Sequence, residues 1–102
     1  MEIDDSIVEE IVDLRPVIGL ARGLSVAEIE ALAVDAIRTH RRLVNRAQDL
    51  FEALPEEYQR GEASGGAQYL EYVKAAIEMH AQMSALMTLV HILGYTPAVR
   101  DN

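Results

Sequence analysis

The sequence predicts an all-α protein, in which a short N-terminal helix precedes a long antiparallel helical hairpin that dimerises into a helical bundle. Half of the 102 residues are hydrophobic, but only 5% are aromatic. The apolar residues are mainly Ala, Leu, Ile, Val and Met, a composition that favours helices over sheets. Two long stretches carry apolar residues at spacings of three and four, which is the period of an amphipathic helix. A chain of this length suits one domain, predicted over residues 1–102.

The first element is a short helix predicted over about residues 4–14. Acidic residues crowd its beginning, where they suit the positive end of a helix dipole. Pro16 disfavours helical geometry at the residue before it and should end the helix. The segment that follows, "RPVIGLARGL", can form one or two helical turns, opened by Pro16 and closed by Gly23.

The second element is a long helix predicted over about residues 25–54. Ser25 is a good N-cap, and Glu28 completes a capping box three residues later. Pro55 ends or kinks the helix. The apolar stripe of this helix predicts a seam, the line of residues along which helices pack. Its predicted members are Ala36, His40, Leu43, Ala47 and Leu50.

The third element is a long helix predicted over about residues 66–93. Gly94 is a suitable residue for the position after a helix end, and Pro97 prevents the helix from resuming. The short glycine-rich turn before this helix predicts an antiparallel hairpin, in which His40 lies opposite His80. The predicted seam of the third helix consists of Val73, Ile77, His80, Met83 and Met87.

Both stripes are wider than the single seam of a two-helix hairpin requires. The extra apolar surface needs cover, and a second copy of the chain supplies it most simply. A homodimer is therefore expected, built as a four-helix bundle.

The histidines at positions 40 and 80 are expected to form a neutral, hydrogen-bonded polar layer rather than a metal site. Glu78 and His80 are two residues apart and point to different faces of a helix, whereas a di-iron bundle needs Glu-x-x-His pairs. Zinc would need two further ligands, and the chain has no cysteine. No nucleophile–base arrangement or phosphate-binding loop is present either. We therefore expect no enzyme activity, catalytic residue, metal or cofactor.

The charge pattern argues against a direct nucleic-acid or membrane partner. The net charge is −8, whereas phosphate binding needs a surplus of Lys and Arg. No apolar run is long enough to span a membrane, and the acidic N-terminus does not resemble a secretory signal, so a cytoplasmic location is expected. The basic cluster Arg38–Arg46 has three interpretations: a solvated face with local ion pairs, a nucleic-acid contact, or a rim for an anionic protein partner.

Two apolar segments, "LRPVIGLARGL" and "ILGYTPAV", cannot bury all of their side chains locally. Such segments either contact another protein or wrap the ends of the bundle, and both interpretations stay open. If they contact a partner, the expected binding residues are apolar or aromatic. They are Leu14, Pro16, Val17, Leu20 and Tyr72, with the Arg38–Arg46 face as a possible charged rim.

Four strings, "LRPVIGLARGLS", "DAIRTHRRLV", "LFEALPEEY" and "IEMHAQMSALMTLVHILGY", closely resemble the TraM quorum-sensing antiactivators of conjugative plasmids. The resemblance covers about residues 14–97 without a gap. It implies a small all-helical homodimer without a cofactor or small-molecule ligand. It also implies binding to TraR, a LuxR-type transcription factor that responds to an acyl-homoserine lactone, so that TraR cannot bind DNA and transfer genes are repressed. An unrelated helical adaptor is the main alternative, followed by a helical DNA-binding protein.

Overall fold

The computed structural model describes residues 15–100, a range that contains helices joined by turns and no strand. There are four helices in this range: α1 (Arg15–Ala21), α2 (Val26–Glu52), α3 (Glu56–Gln59) and α4 (Ala67–Leu93). The two long helices, α2 and α4, pack together as an antiparallel hairpin, which confirms the predicted fold class. The helix predicted at residues 4–14, and with it Leu14, lies outside the described residues. The second copy expected for a bundle stays a prediction.

The beginnings of α1 and α2 follow the local sequence signals. Pro16 lies in the first turn of α1, where a missing backbone N–H breaks no helical hydrogen bond. Gly23 has a φ of 93°, which allows the chain to turn sharply between the two helices. At the start of α2, the Glu28 backbone N–H donates to Ser25 Oγ at 3.1 Å. The Ser25 N–H in turn donates to Glu28 Oε1 at 3.0 Å, so the predicted capping box is formed.

The hairpin turn is held by side-chain amides that bind carbonyls at the end of α2 and in the two residues after it. The amide of Gln59 donates to the carbonyl oxygens of Leu54 at 2.8 Å and Glu52 at 3.1 Å. The amide of Gln68, in the first turn of α4, donates to the carbonyl of Ala53 at 2.9 Å. These bonds satisfy carbonyls that a helix end leaves without partners, and they fix the direction in which α4 leaves the turn.

After α4 the chain folds back along α2. Gly94 has a φ of 90°, and its N–H donates to the carbonyl of Val90 at 2.8 Å. The hydroxyl of Tyr95 then donates to Glu30 Oε2 at 2.8 Å. Further along, the guanidinium of Arg41 donates to the carbonyl of Val99 at 3.4 Å. The tail therefore lies against the N-terminal half of α2.

The core of the hairpin is built from small residues on α2 and large residues on α4. Ala33 and Ala36 form a buried cluster with Leu86 and Leu89, and the alanines let the two helices approach closely. The opposite end of the hairpin holds an aromatic cluster. Its rings have centroid separations between 5.4 and 6.1 Å, and its members are Phe51, Tyr58, Tyr69 and Tyr72.

The structure corrects the predicted seam of α4. The buried residues of α4 include Ala75, Leu86 and Leu89, so the face toward α2 is rotated away from the predicted stripe. Ile77 and Met87 are 62% and 56% exposed, which places them on the opposite side. The prediction that this side of α4 packs against α2 is wrong. That the same side contacts a second copy of the chain stays a prediction. The residues concerned are Ile77, His80, Met83 and Met87; Val73 is half-buried.

The α2 half of the predicted seam lies on the side of the helix that is turned inward. Its members are buried or half-buried: Ala36, His40, Leu43, Ala47 and Leu50. The register differs by a few residues from the predicted one, since Ala36 shares a cluster with Leu86, and Phe51 lies against Tyr72.

The expected polar layer of two histidines is not formed within the chain. His40 is half-buried, but His80 is exposed because it lies on the outer side of α4. Among residues 15–100, neither imidazole has a hydrogen-bond partner. Gln82, two residues after His80, lies on the side of α4 that faces α2, where it lines a groove together with Ala36 and Thr39.

Candidate partner-binding surface

The helix α1 presents a large apolar side chain to solvent beside an open groove. Leu20 is 81% exposed, although it lies in an ordered helix that packs on α4. The groove, called here the α1 groove, has a volume of about 310 Å³. It lies between α1 and the two long helices and is lined by Val17, Leu20, Ala21, Leu32, Asp35, Ala36, Thr39, Gln82 and Leu89.

A single exposed leucine needs no functional explanation, but this one belongs to a larger apolar patch. Leu32 of α2 is also exposed and forms the facing wall of the α1 groove. Ile18 is exposed as well, but it lines a separate crevice with Met83 and Met87 of α4 and not the α1 groove. A contiguous patch of this kind, next to a concave surface, is typical of a protein–protein contact.

Three of the predicted partner-binding residues are brought together by α1. Pro16 and Leu20 are exposed, and Val17 is half-buried at the edge of the α1 groove. Tyr72 is distant from them, at the hairpin-turn end of the molecule. Its ring lies 5.4 Å from that of Phe51 and is half-buried, so part of its surface contributes to the hairpin itself.

The basic cluster of α2 extends the α1 groove toward the hairpin turn. Arg38, Arg42 and Arg46 are exposed. The guanidinium of Arg42 donates to Thr39 Oγ1 at 3.1 Å, and Thr39 lines the groove. Beyond this bond lies a shallow depression of about 460 Å³. It is lined by Arg42, Asn45, Arg46, Asp49 and Leu50.

Sequence reasoning missed the α2 and α4 walls of the groove. Leu32 lies four residues before the seam residue Ala36, so its spacing predicts the same helix face and gives no signal that it is a surface residue. Gln82 could not be found from spacing either, because its place depends on the rotation of α4 about its own axis. The groove is therefore a property of the packed hairpin and not of one segment.

A second apolar surface lies on the outer side of α4. Unlike the amphipathic α2, α4 is apolar around much of its circumference, which is typical of a helix buried on both sides. A crevice of about 370 Å³ is lined by Ile18, Met83, Ser84, Met87, Thr88 and His91. The hydroxyls of Ser84 and Thr88 donate back to carbonyls of α4, which leaves the crevice mainly apolar.

The chemistry of these surfaces is that of recognition. Within residues 15–100, no group of three His, Asp or Glu side chains could hold a metal ion. In the same range, no helix is long and apolar enough to cross a membrane. The groove and the crevice offer apolar contact area, and charged side chains border the groove.

Comparison with known proteins agrees with this picture. Residues 1–98 match the family described as Prokaryotic Transcriptional repressor TraM. The chain is 58% identical to a Transcriptional repressor TraM from Rhizobium radiobacter. It is 57% identical to another from Agrobacterium fabrum (strain C58 / ATCC 33970). Both alignments span 102 residues, which is the full length of this chain and of each relative.

A solved structure shows the same fold. It is the crystal structure of a second quorum sensing antiactivator, TraM2, from A. tumefaciens strain A6, which shares 57% sequence identity with a TM-score of 0.83. The superposition covers 87% of this chain and 100% of that one. With the family match over residues 1–98, these likenesses show that the chain belongs to the TraM family of prokaryotic transcriptional repressors, which are regulatory antiactivators and not enzymes.

Proposed function

We propose that the chain binds a LuxR-type transcription factor of the TraR kind and thereby prevents that factor from binding DNA. The observation that carries this proposal is the 81% exposure of Leu20 on an ordered helix beside an apolar groove. An antiactivator must hold an activator, and the antiactivator name of the TraM2 relative supports a protein partner of this class. The expected consequence is repression of conjugative-plasmid transfer genes, in the cytoplasm.

The proposed interface is centred on α1. Leu20 is the anchor, because a large exposed side chain at the centre of a contact contributes most when a partner removes it from water. Pro16 and Val17 extend the contact along α1, and Leu14, which precedes the described residues, is its proposed N-terminal end. Tyr72 contributes only if the partner reaches the hairpin-turn end of the molecule.

We further propose that the chain is a homodimer that buries the outer side of α4. Leu70, Ile77 and Met87 are exposed apolar residues that recur along this side. A second copy packed on this side of α4 completes the helical bundle and leaves the α1 groove open, although Ile18 of α1 borders the crevice at Met87.

The experiment is an electrophoretic shift of operator DNA by a purified TraR-type activator with its acyl-homoserine lactone. Adding the chain is expected to abolish the shifted band at a stoichiometric ratio. The chain without activator is expected to leave the DNA unshifted, even at low salt, where phosphate contacts are strongest. An activator–DNA band that persists at excess chain would contradict the proposal. A shift produced by the chain alone would favour a DNA-binding protein.

A further inference from the structure

The α1 groove and the arginines of α2 form one continuous surface with an apolar end and a basic end. The apolar end is formed by Val17, Leu20 and Leu32. The hydrogen bond from Arg42 to Thr39 joins it to the basic end, where Arg46 lines the next depression. Asp35 and Asp49 also line the two ends, but the exposed arginines outnumber them, so the surface suits a segment with apolar side chains for the groove and carboxylates for the arginines.

The chain itself contains such a segment. Residues 1–14, "MEIDDSIVEEIVDL", carry six acidic residues and neither Lys nor Arg. Six apolar side chains alternate with these acids from Ile3 to Leu14. The segment is thus opposite in charge to the arginine row and similar in polarity to the groove, although the chain as a whole is strongly acidic.

The position of the segment in the chain allows it to reach this surface. Residue 14 is followed directly by α1, and Val17, three residues further on, already lines the α1 groove. As a helix, fourteen residues would span about 21 Å, since each adds about 1.5 Å. Thr39 lines the same groove as Val17, and Arg42 lies less than one helical turn beyond Thr39 on α2, so the arginine row begins next to the groove.

We propose that residues 2–13 dock on the surface of their own chain, with apolar side chains in the α1 groove and carboxylates beside Arg38, Arg42 and Arg46. The docked segment covers Val17 and Leu20 and is displaced when a partner binds there. Only this competition rests on the proposed function; the docking itself does not need an activator.

The absence of cysteine allows a single label to test the docking in the full-length chain. A nitroxide is attached to Ser6→Cys, and amide signals are recorded with the label oxidised and reduced. The amides of Thr39 and Arg42 are expected to lose most of their intensity, while that of Tyr58 at the hairpin turn keeps it. Intensity is expected to return at about 1 M salt, where the screening length falls to about 3 Å.

Charge reversal provides the matched comparison. The double variant Arg38→Glu, Arg42→Glu is expected to restore the Thr39 signal at low salt, whereas Arg60→Glu at the hairpin turn leaves it broadened. All three arginines are exposed, so the helical content should remain that of the unmodified chain. The proposal is overturned if the label leaves Thr39 unaffected at low salt. It is also overturned if broadening appears only between labelled and unlabelled chains in a mixed sample, because the segment then docks on a second copy.

Discussion

At the scale of single residues, Leu20 and Leu86 show two different uses of the same side chain. Leu86 is 8% exposed within the core of the hairpin, and truncating such a residue to alanine costs about 2–5 kcal/mol. Leu20 is 81% exposed, so its truncation should change stability by no more than about 0.5 kcal/mol. Its apolar surface is therefore not needed for folding and is available for the proposed contact with an activator.

Glu28 gives a pH dependence whose direction can be predicted. The Ser25 backbone N–H donates to its carboxylate, which lowers the pKa of Glu28 below its ordinary value. A lowered folded pKa stabilises the protein above the unfolded pKa, and this stabilisation is lost as pH falls through the folded value. Glu28→Gln is therefore expected to reduce the loss of stability between about pH 5 and about pH 3, measured by urea unfolding.

The control for Glu28 is Glu71→Gln, which removes one exposed carboxylate from α4. If Glu28→Gln loses stability on acidification as the unmodified chain does, the capping box does not contribute to the pH dependence of stability. The effect should be small because the carboxylate is exposed to solvent.

At the scale of elements, the sequence predicts each long helix well but not which side of α4 faces α2. Ser25, Pro55 and Gly94 mark the ends, and α2 has a single apolar side, so its inner face follows from spacing. In α4 the apolar residues surround the helix, so spacing alone allows two faces. The rotation is decided by packing of Leu86 and Leu89 against the alanines of α2, which no local pattern encodes.

A charged substitution on the outer side of α4 tests whether this side is the dimer contact. Ile77→Asp places a carboxylate at a position that is 62% exposed in the single chain, so the hairpin should remain helical. In a homodimer packed on this side the same carboxylate would be buried without a partner, and the dimer should dissociate. Light scattering is expected to give the mass of one chain for the variant and of two chains for the unmodified protein.

Leu70→Ala is the matched truncation on the same side of α4, where it removes apolar area without adding a charge. It should weaken the dimer less than Ile77→Asp does. If the aspartate variant keeps the mass of two chains at micromolar concentration, the outer side of α4 is not the dimer contact.

At the scale of the whole molecule, two surfaces with different expected partners lie on different sides of one hairpin. The α1 groove lies between α1, α2 and α4, whereas Ile77 and Met87 lie on the outer side of α4. The sequence identified Pro16, Val17 and Leu20 as one apolar group, because they are close in the chain. The sequence could not identify Leu32 and Gln82 as neighbours of this group, because only the fold brings them close to α1.

The most direct test of the account is the affinity of a TraR-type activator for Leu20→Ala, measured by calorimetry. Val26→Ala is the control, because Val26 is also exposed, at 63%, but lies outside the lining of the α1 groove. We predict that Leu20→Ala weakens binding by at least about tenfold, the effect of losing an interface anchor worth about 1.4 kcal/mol or more. Val26→Ala should bind as the unmodified chain does, and both variants should keep its helicity and mass. Equal affinities of Leu20→Ala and the unmodified chain would contradict the assignment of α1 as the activator-binding surface.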